Sequence, residues 1–219
     1  MARLIFEKKG RAVWISHLDL MRLFQRAFQR AGLCLKHTQG YNPRPSVSIA
    51  LPMSVGVESG CELLDFELDT EMPPLAEMRR KLNDALVDGV KVLQIYEGGR
   101  KLRDLSLLNC TVRLEYDTAI SAVHADMIAE LFRGESLVVI KKTKNGPVEQ
   151  DIIPMIREMT VTMADDHTVK IDGLICCQNP TLNPAQLVAA IEKYLPQLRP
   201  DHACYSRNEI YTMNQKVFR

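Results

Sequence analysis

Between Leu20 and Ala31 the apolar residues Leu20, Leu23, Phe24, Ala27, Phe28 and Ala31 fall three and four positions apart, the spacing of one helix face. Ser16 ahead of them suits an N-cap, and Asp19 three residues later completes a capping-box-like pattern. Gly32 supplies the stop. Upstream, residues 3–7 and 12–15 cluster apolar side chains around Lys8-Lys9-Gly10-Arg11, which predicts a strand or a hairpin. Downstream, "SVSIALPMSVGV" reads as a strand interrupted by proline. In "CELLDFELD", Leu64, Phe66 and Leu68 alternate with Asp65, Glu67 and Asp69, as in a strand with one wet face. Pro73–Pro74 opens a second helix over 74–87, with Leu75, Met78, Leu82, Ala85 and Leu86 inward, and Gly89 ends it. "VKVLQIYE" closes this half as a strand.

The second half repeats the outline without repeating residues. "GGRKLRDLS" (98–106) is polar and glycine-bearing, a linker pattern. After it come a strand in "LLNCTVRLEY" and a helix in "SAVHADMIAELF". Two hairpin-like stretches turn around Asn145–Gly146 and Asp165–His167. A further helix has Asn183 as cap and Pro184 at its first position, and "CYSRNEIYTM" is a last strand. Strand, helix, strand, strand, helix, strand is the split βαβ order of a ferredoxin-like domain. The expectation is therefore an α+β protein of two tandem ferredoxin-like domains with antiparallel sheets, residues 1–97 and 107–219, joined by 98–106.

Composition adds bounds. A chain of 219 residues, 46% hydrophobic and 25% charged, has the profile of a water-exposed globular protein. No apolar run approaches the roughly 18 residues of a membrane span, and the start lacks a signal-peptide pattern, so no membrane role and a cytoplasmic location are expected. Six cysteines, at 34, 61, 110, 176, 177 and 204, show no C-x-x-C spacing. Apolar neighbours place Cys34, Cys61 and Cys110 in the core. Adjacent Cys176 and Cys177 point to opposite faces of a strand, which disfavours a shared metal, and no metal or cofactor is expected.

Charge changes the picture more. Residues 1–57 hold nine Lys/Arg and two acids, a local excess of seven, whereas 58–71 hold six acids and no base. Either the runs face each other or the basic one faces a partner. At about 100° per residue, Arg22, Arg26 and Arg30 drift by about 40° per step and form one stripe opposite the apolar face. The loop beyond adds Lys36, His37, Gly40, Tyr41, Asn42, Pro43 and Arg44. Guanidinium forks grip phosphate and Tyr41 offers a stacking ring, so the pattern fits RNA or another phosphorylated ligand; it also fits an acidic protein, or simply a solvated face. The prolines at 43 and 45 stiffen the backbone around Arg44. Phosphate-loop, dinucleotide, zinc-protease and serine-hydrolase signatures are absent. His17 and His37 bracket the helix as the only weak general-base candidates, and a first-turn histidine such as His17 is more often structural. In "SRNEIY", Arg207 and Glu209 stand two apart, which on a strand predicts one face and a structural pair.

"SHLDLMRLFQRAFQRAGL", then "TQGYNPRPSVSIALPMSVGVES" and "ELLDFEL", closely resemble the radical-SAM-linked protein family, densely over residues 3–70 and more loosely to "RNEIY" near the end. That family is a domain of unknown function found behind, or encoded beside, a radical-SAM protein. Pro-Arg-Pro at 43–45 replaces a Pro-His-Pro-Arg-like stretch, and the radical-SAM cysteine triad is missing, so the chain resembles the stand-alone form. The resemblance implies a separately made radical-SAM protein as partner and supplies no catalytic residue.

These lines converge on a non-catalytic accessory or substrate-binding module that presents RNA or another phosphorylated ligand to a radical-SAM protein. Its contact residues would be Ser16, His17, Asp19, Arg22, Arg26, Arg30, His37, Gly40, Tyr41, Asn42, Pro43 and Arg44. Two alternatives stand: a metal-independent RNA-processing endonuclease with a histidine base, by analogy with tandem ferredoxin-like nucleases, and a purely protein-docking subunit.

Overall fold

The computed structural model describes residues 1–143 and 146–219, and its contacts divide the chain into two compact units, Met1–Leu102 with Arg219, and Arg103–Phe218. The described residues are mixed α+β, with four α-helices and antiparallel strands. Among the described residues no helix is long and apolar enough to cross a membrane.

The first unit runs β1 (Ala2–Lys8), α1 (His17–Arg30), β2 (Val47–Ile49), β3 (Val57–Phe66), α2 (Leu75–Ala85) and β4 (Val90–Glu97). β1 lies between β3 and β4, and β2 pairs with the far side of β3, all antiparallel. Alternation sends Leu4 and Phe6 of β1, with Leu64 and Phe66 of β3, toward the helices. There they meet Leu20, Phe24 and Phe28 of α1 and Met78 and Leu82 of α2. Phe6 meets Phe24 edge-on at 4.7 Å between ring centres, and Phe28 meets Phe66 at 4.9 Å. Asn83 of α2 clamps the edge strand, donating to the Val92 carbonyl at 3.0 Å and accepting from its N–H at 2.7 Å. α2 stops at Ala85 because Leu86 is already extended.

Three expectations for this unit are corrected. Lys8–Arg11 does not turn a hairpin: Gly10 takes φ +55° and starts a short 3-10 helix over Gly10–Trp14. Asp65 is not on a wet face. It sits opposite Arg3 in the β1–β3 register, and the two are buried as a bidentate pair at 2.6 and 3.0 Å. Cys34 is exposed, because Leu33 and Leu35 on either side turn inward and Leu35 bridges to Leu68.

Close packing makes Gly89 irreplaceable. It has φ +82°, its carbonyl accepts from Lys9 N–H at 2.8 Å, and a Cβ there would run into the Lys9 carbonyl oxygen and come within 2.9 Å of Ala12 Cβ. Gly89→Ala is expected to destabilise the protein by more than about 1 kcal/mol in urea unfolding; a smaller change would contradict this packing.

The second unit runs β5 (Leu105–Glu115), α3 (Ala122–Leu131), β6 (Val138–Thr143), β7 (Gly146–Asp151), β8 (Ile156–Asp165), β9 (Thr168–Cys176), α4 (Ala185–Tyr194) and β10 (His202–Thr212). Its sheet is ordered β10-β5-β9-β8, and β6–β7 form a separate hairpin. Of the turn expected at Asn145–Gly146, Asn145 lies outside the described residues. β5 begins at Leu105, inside the stretch read as a linker, because Leu105 is buried and Leu102–Asp104 form a 3-10 turn. Cys110, Val112 and Leu114 of β5 are buried, as are Val169 and Ile171 of β9, Ile128 of α3 and Leu187 and Ile191 of α4. Arg207 and Glu209 do not share a face. A bulge pairs Arg207 with Cys110 and Glu209 with the next residue, Asn109, which alternates to the other side.

Candidate functional site

The basic helix starts where the sequence predicts. Ser16 is extended (φ −67°, ψ 160°) and its Oγ accepts from Asp19 N–H at 3.2 Å. The same hydroxyl donates to Asp19 Oδ2 at 2.7 Å, and Asp19 Oδ1 accepts from Arg22 Nη1 at 2.9 Å. One residue before the cap, the Ile15 carbonyl accepts from the buried Lys8 Nζ at 3.0 Å, which fixes the helix start to β1.

The Ser16 hydroxyl first, and Arg22 second, hold the Asp19 carboxyl below the usual aspartate range. A depressed carboxylate stabilises the fold above its unfolded pKa, and that contribution disappears as pH falls through the folded value. Ser16→Ala is expected to cost about 1 kcal/mol by removing the cap and to move the Asp19 midpoint upward in a carboxyl-carbon NMR titration. An unmoved midpoint would contradict the hydroxyl's role.

Beyond the cap, Arg22, Arg26 and Arg30 are exposed, as the wheel requires. They border a groove of about 530 Å³ floored by Ile15, Leu23 and Val87, with Asp19 at one end. Among the described residues no acid of the acid-rich run pairs with them: Asp65 is bound to Arg3, and Glu67 to Lys36 at 3.4 Å. Arg22 is paired with Asp19 of its own helix, whereas among the described residues Arg26, Arg30 and Arg44 make no ion pair. A second groove, about 470 Å³, lies on the other side of Arg26. Gln25 and Gln29 of α1, Leu33 and Leu35 beyond it, and His37 and Pro45 of the following loop line it.

That loop is closed at its base. His37 bridges to Pro45, Thr38 N–H donates to the Arg44 carbonyl at 2.8 Å, and Arg44 N–H donates to Thr38 Oγ1 at 3.0 Å. Gly40, with φ +141°, allows the tip to turn. Tyr41 is fully exposed, and Asn42, Pro43 and Arg44 are exposed beside it. The structure thus brings Arg22, Arg26 and Arg30 together and adds His37 through Arg26. It leaves Gly40, Tyr41, Asn42, Pro43 and Arg44 outside both grooves. Half-buried His17 is the first residue of α1, and His37 lies past its far end. A helix of this length spans about 20 Å, so the two imidazoles cannot share one proton transfer.

Sequence reasoning missed two side chains here. Trp14, the single tryptophan, is 69% exposed just ahead of the cap, its ring over Gly56, where a Cβ would sit 3.6 Å from Cζ3. Leu18, 66% exposed, is one turn before Arg22 on the same stripe. The signal was the apolar cluster at 12–15, which reads as strand until the 3-10 turn rotates Trp14 outward.

No curated protein matches the chain. Among solved structures, an unknown protein from Galdieria sulphuraria aligns over 94% of this chain and 96% of its own, at 10% identity and a TM-score of 0.27. A protein provisionally assigned as a glycine cleavage system transcriptional repressor aligns over 94% and 97%, at 10% identity and a TM-score of 0.25. Such scores carry no argument about fold or activity. The sequence model of one family does match, over residues 2–184. The chain belongs to that family, described as an uncharacterized protein conserved in bacteria (DUF2344).

Proposed function

We propose that the chain is a non-catalytic module that binds single-stranded RNA along the exposed face of α1, its phosphates on Arg22, Arg26 and Arg30 and a base against Trp14. The observation that carries this reading is the surplus of positive charge on that face. Arg26 and Arg30 are exposed without an ionic partner among the described residues, while Asp65 and Glu67 of the acid-rich run are paired with Arg3 and Lys36. Exposed aromatic rings beside arginines suit unpaired nucleotides, whose bases stack while the backbone is neutralised. His37, Tyr41 and Arg44 extend the surface along the loop. The handing of RNA to a separate radical-SAM protein rests on the family resemblance of residues 3–70 alone.

Each unit's strand order, fourth-first-third-second once the β6–β7 hairpin is set aside, is that of a split βαβ sheet. We read the units as tandem ferredoxin-like domains, a fold whose many functions lend no weight to RNA. The endonuclease alternative rests on one histidine acting alone, since His17 and His37 stand at opposite ends of α1.

Trp14 is its own reporter, being the sole tryptophan. Titration with a mixed-sequence single-stranded RNA is expected to quench its emission saturably, and Arg26→Glu/Arg30→Glu to shift the midpoint to about 100-fold more RNA. Unchanged emission, with no RNA retained on a filter, would remove the RNA reading and leave protein docking.

A further inference from the structure

A separate group of metal-ligating side chains comes together in the second unit. β5 and β10 are antiparallel neighbours, and their register sets His202 opposite Glu115 and Cys204 opposite Arg113. Side chains two apart on a strand share a face, so the His202 imidazole and Cys204 thiol both stand beside the Glu115 carboxylate. One ligand atom from each lies within 4.8 Å of the others. Alternation puts this face opposite the one that carries Cys110, Val112 and Leu114 into the core. Cys204 and Glu115 are half-buried and His202 is exposed, which leaves a path of entry.

We propose that Glu115, His202 and Cys204 form a binding site for one zinc-class divalent ion, with a fourth position open to water. The donor set selects the metal. Sulfur and imidazole nitrogen with one carboxylate oxygen are zinc ligands, whereas calcium and magnesium take oxygen shells. Tetrahedral bonds of ordinary length put ligand atoms about 3.5 Å apart, so the side chains close by small rotations on a fixed ladder. Binding breaks the Cys204 S–H bond, forms a sulfur–metal bond and releases the proton to water, so affinity falls as pH falls. Arg113 opposes it. Its guanidinium lies 3.9 Å from Glu115 in a loose, half-exposed ion pair, which the metal must displace.

The test uses the full chain carrying Cys34→Ser, which removes the exposed thiol. One equivalent of Co²⁺ is expected to give a thiolate-to-cobalt charge-transfer band with the d–d intensity of a four-coordinate ion, and Zn²⁺ to displace it. Cys204→Ser should abolish the band. His202→Ala and Glu115→Gln should each weaken Zn²⁺ binding by at least the roughly 10-fold that loss of an outer-shell partner costs, with circular dichroism unchanged. A missing thiolate band, a band that survives Cys204→Ser, or a Zn²⁺ affinity unmoved by either of the other two substitutions would overturn the site.

Discussion

Asp65→Asn is expected to lower the unfolding free energy of the full chain by about 3–5 kcal/mol, the cost of leaving a buried charge without its partner. The pair is directly cross-strand: Arg3 of β1 and Asp65 of β3 face each other with side chains 3% and 6% exposed. Two parallel N–H···O bonds at 2.6 and 3.0 Å join them, and Arg3 Nη1 also donates to the Arg100 carbonyl at 3.0 Å. Asparagine keeps the shape and removes the charge, so the guanidinium stays buried without its carboxylate. Urea unfolding followed by Trp14 emission, in the same unit, measures this. The apolar double replacement Arg3→Met/Asp65→Leu should recover a large part of the loss, since removing both charges also removes the desolvation penalty. A loss below about 1 kcal/mol, as for a surface pair, would contradict the buried geometry.

Arg26→Glu/Arg30→Glu is expected to reduce affinity for single-stranded RNA by about 100-fold or more at low salt. A charge-assisted hydrogen bond to phosphate contributes about 1.5–3 kcal/mol, and about 1.4 kcal/mol is a factor of ten. Both residues are exposed and free of intrahelical partners among the described residues, so the fold should be unaffected. Arg22 is the weaker anchor, because Asp19 already accepts its Nη1 at 2.9 Å. Arg22→Glu alone should therefore cost less than either of the others. Equal losses for all three, or loss of helicity in the double variant, would contradict this ranking.

The helices and most strands were readable because burial imposes periodicity. The apolar positions of α1 repeat every three or four residues, and the structure buries Leu20, Phe24, Ala27 and Phe28 as that repeat requires. Asp65 misled for the converse reason: alternation describes which way a side chain points, not whether a guanidinium on the neighbouring strand waits for it. Cys34 misled because its apolar neighbours, not itself, occupy the inward positions. The bulge that separates Arg207 from Glu209 has no local sign in "SRNEIY". The arginine stripe was visible as spacing on one helix. Trp14 needed the 3-10 turn, and the meeting of Glu115 with His202 and Cys204 needed strand register, which no single segment specifies.

The salt dependence of RNA affinity tests the basic face most directly. Three phosphates neutralised by Arg22, Arg26 and Arg30 should give a slope of log K against log salt near −2, at about 0.7 per contact on a single strand. Arg26→Glu/Arg30→Glu should flatten that slope by about 1.4. A slope near zero in the natural chain, or one that the double reversal leaves unchanged, would mean that this helix does not hold RNA.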